Sequence, residues 1–327
     1  MRRVKLVCQM LVAFLVAMFA YNLIYEPHQE QVRAAVQSNL PKVQQMAGLE
    51  GKNSNSVPDG KLRITVLDVG QGESILLQDG KRNVLVDVGD NHKDEYGKGG
   101  RDAYVAALER AGVTTKDRIH TVIITHHHGD HLGNIKWTAG KYRVNTMYDN
   151  GYANTKSNNS QWLNTELRAG HYHGRALKAG DRVDLGKGYY LEVLSPGSFI
   201  PQKALKNLNN TSLVMMLHYG NFKMLLTGDA EAPVEDVLQQ RYGDALKADV
   251  LKAGHHGSKT SSIYKFISKV RPKYALISCG DFNIYHHPSK NVVGSLQHLG
   301  AKVYTTYEHG NLVVTTDGKD FNVKTER

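Results

Sequence analysis

The chain has 327 residues, a formal net charge of +10 and only two cysteines, Cys8 and Cys279. Two thiols can build neither a disulfide framework nor a thiolate zinc site, which excludes a cystine-rich miniprotein and a cysteine-based metal site. Any bound metal would be held by imidazole and carboxylate groups. The positive charge favours an anionic partner, such as nucleic acid, a wall polymer or a membrane surface, although a basic surface without a specific partner would carry the same charge.

The first 25 residues predict a membrane anchor. Three basic side chains, at positions 2, 3 and 5, precede a largely apolar run from Leu6 to about Tyr25, close to the roughly 20 residues that span a bilayer. This run is long for the apolar core of a cleaved signal peptide, and no small-x-small cleavage site is evident. We expect an uncleaved anchor that leaves the rest of the chain outside the cell. A cleaved signal peptide, and thus a secreted protein, is the alternative.

Residues 26–60 predict a spacer with turn-forming residues near its end, and residues 61–327 predict a domain with regular strand and helix patterns. Strands are predicted, in chain order, at 62–69, 74–78, 83–88, 120–125, 189–194, 212–218, 222–227, 250–252 and 274–278. Helices are predicted at 102–111, 233–242, 261–270 and 291–299. Asp79-Gly80 is typical of a hairpin turn. Strands that come first and then mix with helices predict sheets sandwiched between helix layers.

The segment from about residue 150 to residue 180 differs from the rest of the domain. It is polar, rich in Asn, Ser and Gly, and carries Trp162, His171 and His173. We expect a long irregular insertion that serves a site as a lid or rim, with a mobile surface insertion as the alternative.

A histidine-rich cluster follows the strand predicted at 120–125. His126 and His128 alternate, so both imidazoles can point the same way, and Asp130 and His131 follow at a neighbouring point. Two pairs of ligands at adjacent points suit two metal ions about 3.5–4 Å apart. Imidazole and carboxylate ligands suit zinc, with manganese or iron as competitors.

Four ligands cannot complete two coordination shells, so further ligands must come from elsewhere. Asp229 stands beside a glycine at the end of an apolar strand and could bridge both metals. His255 and His256 follow the next predicted strand, and one of the two would complete the second metal site, with His255 favoured and His256 as the alternative. Taken alone, each of these features is also typical of a turn or a capped loop.

Three motifs in order, His-x-His-x-Asp-His, Leu-Thr-Gly-Asp and Gly-His-His-Gly-Ser, resemble those of the metallo-β-lactamase superfamily. With Leu67–Ser74, Val84–Gly89 and Asn210–Val214, the chain more narrowly resembles the extracellular hydrolase domain of the ComEC family of DNA-internalisation competence proteins. The resemblance covers about residues 62–316. It implies an α/β fold of the α+β type, a four-layer αββα sandwich, with the metals at one edge between the sheets.

The resemblance also implies a set of site residues. The metal ligands would be His126, His128, Asp130, His131, Asp229 and His255. Asp87 would sit behind the site and orient it. The implied cofactors are two divalent metal ions, zinc first and manganese second.

Two departures from the family pattern affect these expectations. Residues 210–212 stand where many relatives carry another histidine ligand, so one metal would be held more weakly, with an open position. The single apolar segment cannot form the polytopic channel of ComEC proteins. In addition, Gly133-Asn134 agrees with phosphorylcholine esterases of pneumococcal type, which carry a similar motif set.

The resulting functional hypothesis is an extracellular, membrane-anchored phosphodiesterase or nuclease that acts on DNA, with competence channel proteins as partners. Asp130 or Asp229 would accept a proton, and His256 would hydrogen-bond phosphate or protonate the leaving group. Contacts to substrate are expected from His287, Asn210 and Ser258, although His287 could equally be a structural turn residue. The alternatives are a phosphorylcholine-esterase-like enzyme for wall or lipid-linked phosphate esters, a β-lactam or lactone hydrolase, and a non-catalytic DNA-binding or channel-partner module.

Overall fold

The computed structural model describes residues 60–80, 82–94, 97–186, 188–281 and 283–327. The anchor predicted at residues 1–25 and nearly all of the spacer lie outside these ranges. Among the residues described, no helix combines the length and apolar character needed to cross a bilayer.

The described strands pair into two mixed sheets of seven strands each. The first sheet has the spatial order β14-β13-β1-β2-β3-β4-β5. Its strands are β1 (Leu62–Val66), β2 (Ile75–Gln78), β3 (Asn83–Val86), β4 (Thr121–Ile123), β5 (Thr146–Tyr148), β13 (Leu312–Thr316) and β14 (Phe321–Thr325). The second sheet has the order β12-β11-β10-β9-β8-β7-β6. Its strands are β6 (Arg182–Gly186), β7 (Tyr189–Ser195), β8 (Val214–Tyr219), β9 (Phe222–Leu226), β10 (Val250–Lys252), β11 (Tyr274–Ile277) and β12 (Lys302–Thr305).

Helices connect these strands. They are α1 (Gly100–Arg110), α2 (Gly129–Leu132), α3 (Ile135–Lys141), α4 (Asn158–Arg168), α5 (Ala232–Tyr242), α6 (Tyr264–Val270), α7 (Lys290–His298) and α8 (Thr306–His309). Short 3₁₀ turns cover Ala204–Lys206, Leu208–Thr211, Gly243–Leu246 and Gly254–Gly257.

Apolar side chains on both faces of the strands explain why the sheets are covered on both sides. On β8, Met215 and Leu217 belong to the core between the two sheets, whereas Met216 belongs to a core shared with α5, α6 and α7. On β3, Leu85 packs with Leu163 of α4 on the outer side of the first sheet. Strands buried on both faces read as nearly continuous apolar runs. The prediction of two sheets between helix layers is therefore confirmed.

Every strand and helix predicted from the sequence is present, with ends that shift by up to three residues. The prediction of an irregular insertion over 150–180 is wrong, because this segment contains α4. The Ser157 side chain accepts a hydrogen bond from Ser160 N at the first turn, and Leu163 is fully buried. The polar composition of the exposed face concealed this helix. Five strands were missed: β5, β6, β12, β13 and β14.

Candidate metal centre

The candidate ligands lie together because they follow the carboxyl ends of parallel strands. β3 pairs in parallel with β4, and β9, β10 and β11 form a parallel set. Asp87 follows β3, His126 follows β4 and Asp229 follows β9, while His255 and His256 follow β10. Side chains at the carboxyl edge of such strands converge on one crevice, the usual place for a site in an open α/β sheet.

One group of donor atoms belongs to Asp130, His131, Asp229 and His256, and these atoms all lie within 4.8 Å of one another. His131 Nε2 is 3.2 Å from Asp229 Oδ1, and His256 Nε2 is 3.1 Å from Asp130 Oδ2. Two carboxylates and two imidazoles at this spacing form a donor set suited to a divalent metal.

A second group adjoins the first. His126 Nε2 lies 3.0 Å from His128 Nδ1 and 3.8 Å from Asp229 Oδ2. Both imidazoles point to the same side because His126 and His128 alternate along extended backbone, while His127 between them points away. Asp229 therefore stands between the two groups, where a carboxylate can contribute an oxygen to each.

Unpaired donor atoms support the fit to metal. His131 Nε2 and Asp229 Oδ1 are buried and face each other at 3.2 Å, but neither makes a hydrogen bond of good geometry within the described residues. Buried polar groups without a partner carry a desolvation cost that a bound cation would remove. Five of the residues that the sequence assigned to metal lie in these two groups: His126, His128, Asp130, His131 and Asp229.

The buried charges of these groups shift one another's pKa values. Burial alone would raise the pKa of Asp229, but His131 and His256 outweigh it and hold that pKa well below its ordinary value. Burial alone would lower the pKa of His131, yet the carboxylates of Asp229, Asp87 and Asp130 raise it well above the ordinary value. Burial lowers the pKa of His126. Asp229 is thus a carboxylate, whereas burial raises the pKa of Asp87, and His131 must release its proton to ligate a cation.

Asp87 fixes the orientation of His131 from behind. His131 Nδ1 donates to Asp87 Oδ2 at 2.7 Å, and the Thr125 amide and hydroxyl donate to the two Asp87 oxygens at 2.7 Å each. The backbone of Asp87 has a φ of 60°, which a non-glycine residue rarely adopts. A carboxylate held in this way directs Nε2 of the imidazole toward the site.

The middle histidine of the cluster has a structural role that the sequence did not reveal. His127 is fully buried, with Nδ1 2.6 Å from Ser160 Oγ on α4 and Nε2 3.1 Å from Asp149 Oδ2. The cluster is therefore fastened to α4, the helix that the sequence analysis missed.

A second buried contact supports Asp130. A Cβ at Gly72 would lie 2.7 Å from the Asp130 carbonyl oxygen, and Glu73 N donates to that oxygen at 3.0 Å. Glu73 forms a fully buried ion pair with Lys252 of β10. The two residues belong to separate sequence motifs, and the sequence offered no signal that they meet.

The two histidines after β10 are placed differently: His256 joins the Asp130 group, whereas His255, the sixth ligand that the sequence favoured, lies beside this group. The chain leaves β10 through two consecutive residues with left-handed backbone, His255 at φ 48° and His256 at φ 54°. This turn directs His256 inward, where its Nδ1 lies 2.9 Å from the Ser278 carbonyl oxygen. His255 Nε2 remains 3.7 Å from Asp229 Oδ2, and its Nδ1 faces Glu231 Oε1 at 3.3 Å.

A cavity lies over the two groups of candidate metal ligands, which we call the metal groups. Two residues that the sequence assigned to substrate do not line this cavity. Asn210 is buried, donates to the Ala204 carbonyl and accepts from Glu231 N. Ser258 is also buried, with its hydroxyl 3.0 Å from Thr260 Oγ1. Asn209 lines the cavity instead, with its Nδ2 3.4 Å from His255 Nε2.

The cavity has a volume of about 530 Å³ and opens directly over the metal groups. Its rim includes the charged side chains of Lys93 and Lys98 together with Tyr285 and His287. Burial lowers the pKa of His287 to about 4, so this imidazole is neutral at pH 7. It can therefore hydrogen-bond a substrate but is poorly suited to donate a proton.

Gly133 and Asn134 hold one edge of the cavity. A Cβ at Gly133 would lie 2.5 Å from Asn91 N. Asn134 Nδ2 donates to the carbonyl oxygens of Val88 and Asp90 at 2.9 and 2.6 Å. This pair therefore packs the segment after β3 against the histidine cluster and does not itself face the cavity.

Comparison with known proteins agrees with this geometry. The chain is 31% identical over 266 residues to ComE operon protein 3 of Bacillus subtilis, covering 76% of this chain and 32% of that protein. It is 29% identical over 274 residues to Competence protein ComA of Neisseria gonorrhoeae, covering 82% and 34%. The chain thus spans about a third of the length of these relatives.

A solved structure supports the fold. The metallo-beta-lactamase fold protein YhfI from Bacillus subtilis aligns with a TM-score of 0.52 and 16% identity, over 79% of this chain and all of that one. Members of this fold family are typically metal-dependent hydrolases. Residues 67–281 match the Metallo-beta-lactamase superfamily, and the resemblance seen in the sequence is confirmed: the chain belongs to this superfamily.

Proposed function

We propose that this protein is a metal-dependent phosphodiesterase that cleaves DNA. The observation that carries the proposal is the pair of donor groups that share Asp229 on the floor of an open cavity. Two adjacent metals suit an in-line displacement at phosphorus. Relatives whose names refer to competence and to recombination support DNA as the substrate.

The residues of the site have separate proposed roles in metal binding and in phosphate binding. Two divalent ions bound to these donors would supply a Lewis acid for the phosphate and activate water. Asp130 and Asp229 bind as carboxylates, because their pKa values lie below the ordinary range. This favours a ligand role over a proton-accepting one. His287 lines the cavity, so its imidazole can lie beside a bound phosphate.

The test is cleavage by the purified protein loaded with zinc or manganese. Single-stranded DNA, double-stranded DNA and bis-(p-nitrophenyl) phosphate are offered in parallel. We expect metal-dependent cleavage of DNA that Asp229→Asn abolishes. Asp184→Asn, the same change at a carboxylate with 70% of its side chain exposed, should leave turnover intact. Turnover retained in Asp229→Asn would contradict the site.

The same assay separates the alternative functions. Hydrolysis of small phosphodiesters or of a phosphorylcholine ester without cleavage of DNA would favour the esterase. Metal-independent DNA binding without any turnover would favour a binding module. Gly133-Asn134 no longer distinguishes these functions, since both residues are explained by packing.

We also propose zinc as the resident metal, and a membrane-anchored protein with its domain outside the cell. The donor set supports zinc, and the apolar run from Leu6 to about Tyr25 supports the anchor. Metal analysis of purified protein tests the first point. Protease treatment of intact cells tests the second, since an internal domain would survive it. Competence channel proteins are proposed partners, to be sought by crosslinking in cells.

A further inference from the structure

One side of the cavity rim is apolar and exposed. Among the described residues, the large apolar side chains with the greatest exposure are Tyr264, Ile284 and Tyr285 at 50%, 59% and 62%. Ile284 and Tyr285 are adjacent, and both line the cavity over the metal groups. Exposed apolar side chains at the entrance of a polar site are costly in water and point to a ligand with an apolar surface.

The segment that carries these two side chains is internally braced. Asn283 Nδ2 donates to the carbonyl oxygens of Gly280 and His287 at 2.8 and 2.7 Å, and Asn283 Oδ1 accepts from His287 N at 2.9 Å. Asn283 itself is 9% exposed. The two apolar side chains are thus held at the rim before any ligand arrives, which reduces the ordering cost of binding.

Aromatic rings connect this rim to the metal groups. The ring of Tyr285 stacks on His287, with centroids 5.6 Å apart and planes inclined by 27°. His287 in turn lies over His256, at 6.4 Å and 26°. Tyr285 is 62% exposed, so a further planar ring can extend this stack outward from the metal groups, at a site for a part of the substrate that flanks the bound phosphate.

The other side of the cavity rim carries lysines that are paired with aspartates. Lys93 pairs with Asp102 at 3.1 Å, and Lys98 pairs with Asp281 at 3.2 Å. A quaternary ammonium group such as choline is held by several aromatic faces, whereas the apolar side of this rim offers one exposed tyrosine beside an isoleucine. A single exposed ring next to a phosphate site suits an unpaired nucleobase, which presents a flat π-face.

We propose that Ile284 and Tyr285 form a base-stacking subsite, in which an unpaired nucleobase of the bound strand, flanking the scissile phosphate, stacks on Tyr285. This inference rests on the proposed function. It makes the aromatic base, and not only the phosphodiester backbone, a determinant of the substrate. Bases within a duplex are already stacked, so the subsite accepts single-stranded segments or ends.

The test compares two substrates of equal length and charge: a single-stranded oligodeoxynucleotide and its abasic counterpart. In the wild-type protein we expect a higher kcat/KM for the oligonucleotide that carries bases. Tyr285→Ala should lower that value by about 10-fold, within the range for one stacked base, and should lower abasic cleavage by a smaller factor, so that the preference for bases is lost. Tyr285→Trp should retain the preference. Tyr285→Leu, which keeps apolar surface without a ring, should lose it.

Tyr264→Ala is the matched control, because this exposed tyrosine does not line the cavity. Bound metal and the thermal midpoint, measured for every variant, show whether each one folds. Equal cleavage of both substrates by the wild type, or an equal loss on both in Tyr285→Ala, overturns the subsite and leaves the proposed function standing. If Tyr285→Ala lost activity on a phosphorylcholine ester and kept activity on the oligonucleotides, the assignment of the subsite to a nucleobase would be overturned. If the wild type cleaves neither oligonucleotide, the proposed function fails and the subsite fails with it.

Discussion

At the scale of single residues, His255 and His256 show how two neighbouring side chains acquire different roles. Both follow β10, and the sequence motif favoured His255 as the ligand, whereas the structure brings His256 into the four-residue donor group. The separation comes from backbone: successive left-handed residues rotate His256 toward Asp130 and leave His255 beside Glu231. Non-glycine residues with positive φ are uncommon and tend to occur where function requires them.

The first prediction concerns these two histidines. His256→Ala should lower the metal content by one equivalent and sharply reduce turnover, because Nε2 of this residue belongs to the four-residue donor group. His255→Ala should retain the metal, since its ring is held by Glu231 and Thr260 at the edge of the site. Metal analysis after exhaustive dialysis measures the difference. Loss of metal from His255→Ala alone would reverse the assignment.

At the scale of elements, α4 explains how a polar segment can be essential to the site. Its inward residues pack on the first sheet, and its Ser160 holds the histidine that lies between two ligands. Two alternate side chains at a strand end can point into a site only if the side chain between them is accommodated on the opposite side. Here α4 accommodates that side chain, His127.

The second prediction is that α4 contributes to stability through packing. Leu163→Ala should lower the free energy of unfolding by about 2–5 kcal/mol, the usual cost of such a truncation in a core, because Leu163 is fully buried. Arg168→Ala at an exposed position of the same helix should change it by no more than about 0.5 kcal/mol. Chemical denaturation followed by circular dichroism measures both values. A similar small effect for the two variants would argue against a packed α4.

A buried carboxyl group joins α5 to α6. Glu235 of α5 is fully buried and accepts hydrogen bonds from Ser262 N and Ile263 N, at 2.7 and 2.8 Å, just before α6 begins. Burial raises the pKa of this group to about 8, although the two amide hydrogen bonds lower it in part. The folded state therefore favours the protonated form.

The third prediction follows from the sign of that shift. A folded-state pKa above the unfolded one gives stability that is complete below about pH 4.5 and is lost as the pH rises through about 8. The advantage of the wild type over Glu235→Gln in unfolding free energy should therefore shrink between pH 5 and pH 8, by at most about 1.4 kcal/mol per pH unit. Urea titrations of metal-free protein measure it, with the exposed Glu109→Gln as the matched control. A constant difference across this range would contradict the prediction.

At the scale of the whole molecule, the metal groups join the two sheets. His126, Asp130 and His131 follow a strand of the first sheet, whereas Asp229 and His256 follow strands of the second. A cation shared by these donors would bind the folded domain and not the unfolded chain. Metal binding is therefore linked to folding.

The fourth prediction is that removal of metal destabilises the domain reversibly. Binding to the folded state alone stabilises it by about 2.7 kcal/mol when free metal exceeds Kd 100-fold. A chelator should lower Tm, and added zinc should restore it. Asp229→Asn, which lacks the shared carboxylate, should show little response to either treatment. A wild-type Tm that is indifferent to the chelator would exclude metal at this site.

The sequence by itself determined the parts of this protein that are encoded locally. The strands appear as apolar runs, and five of the candidate ligands follow strand ends within a few residues, in motifs whose spacing predicts their geometry. Their convergence could be expected because parallel strands end at a common edge. Tertiary structure decided what depends on contacts between distant segments: the choice of His256, the place of Asn209 in the cavity, and the burial of Glu73 against Lys252. These features follow from backbone turns and packing across the two sheets, which local composition and periodicity do not specify.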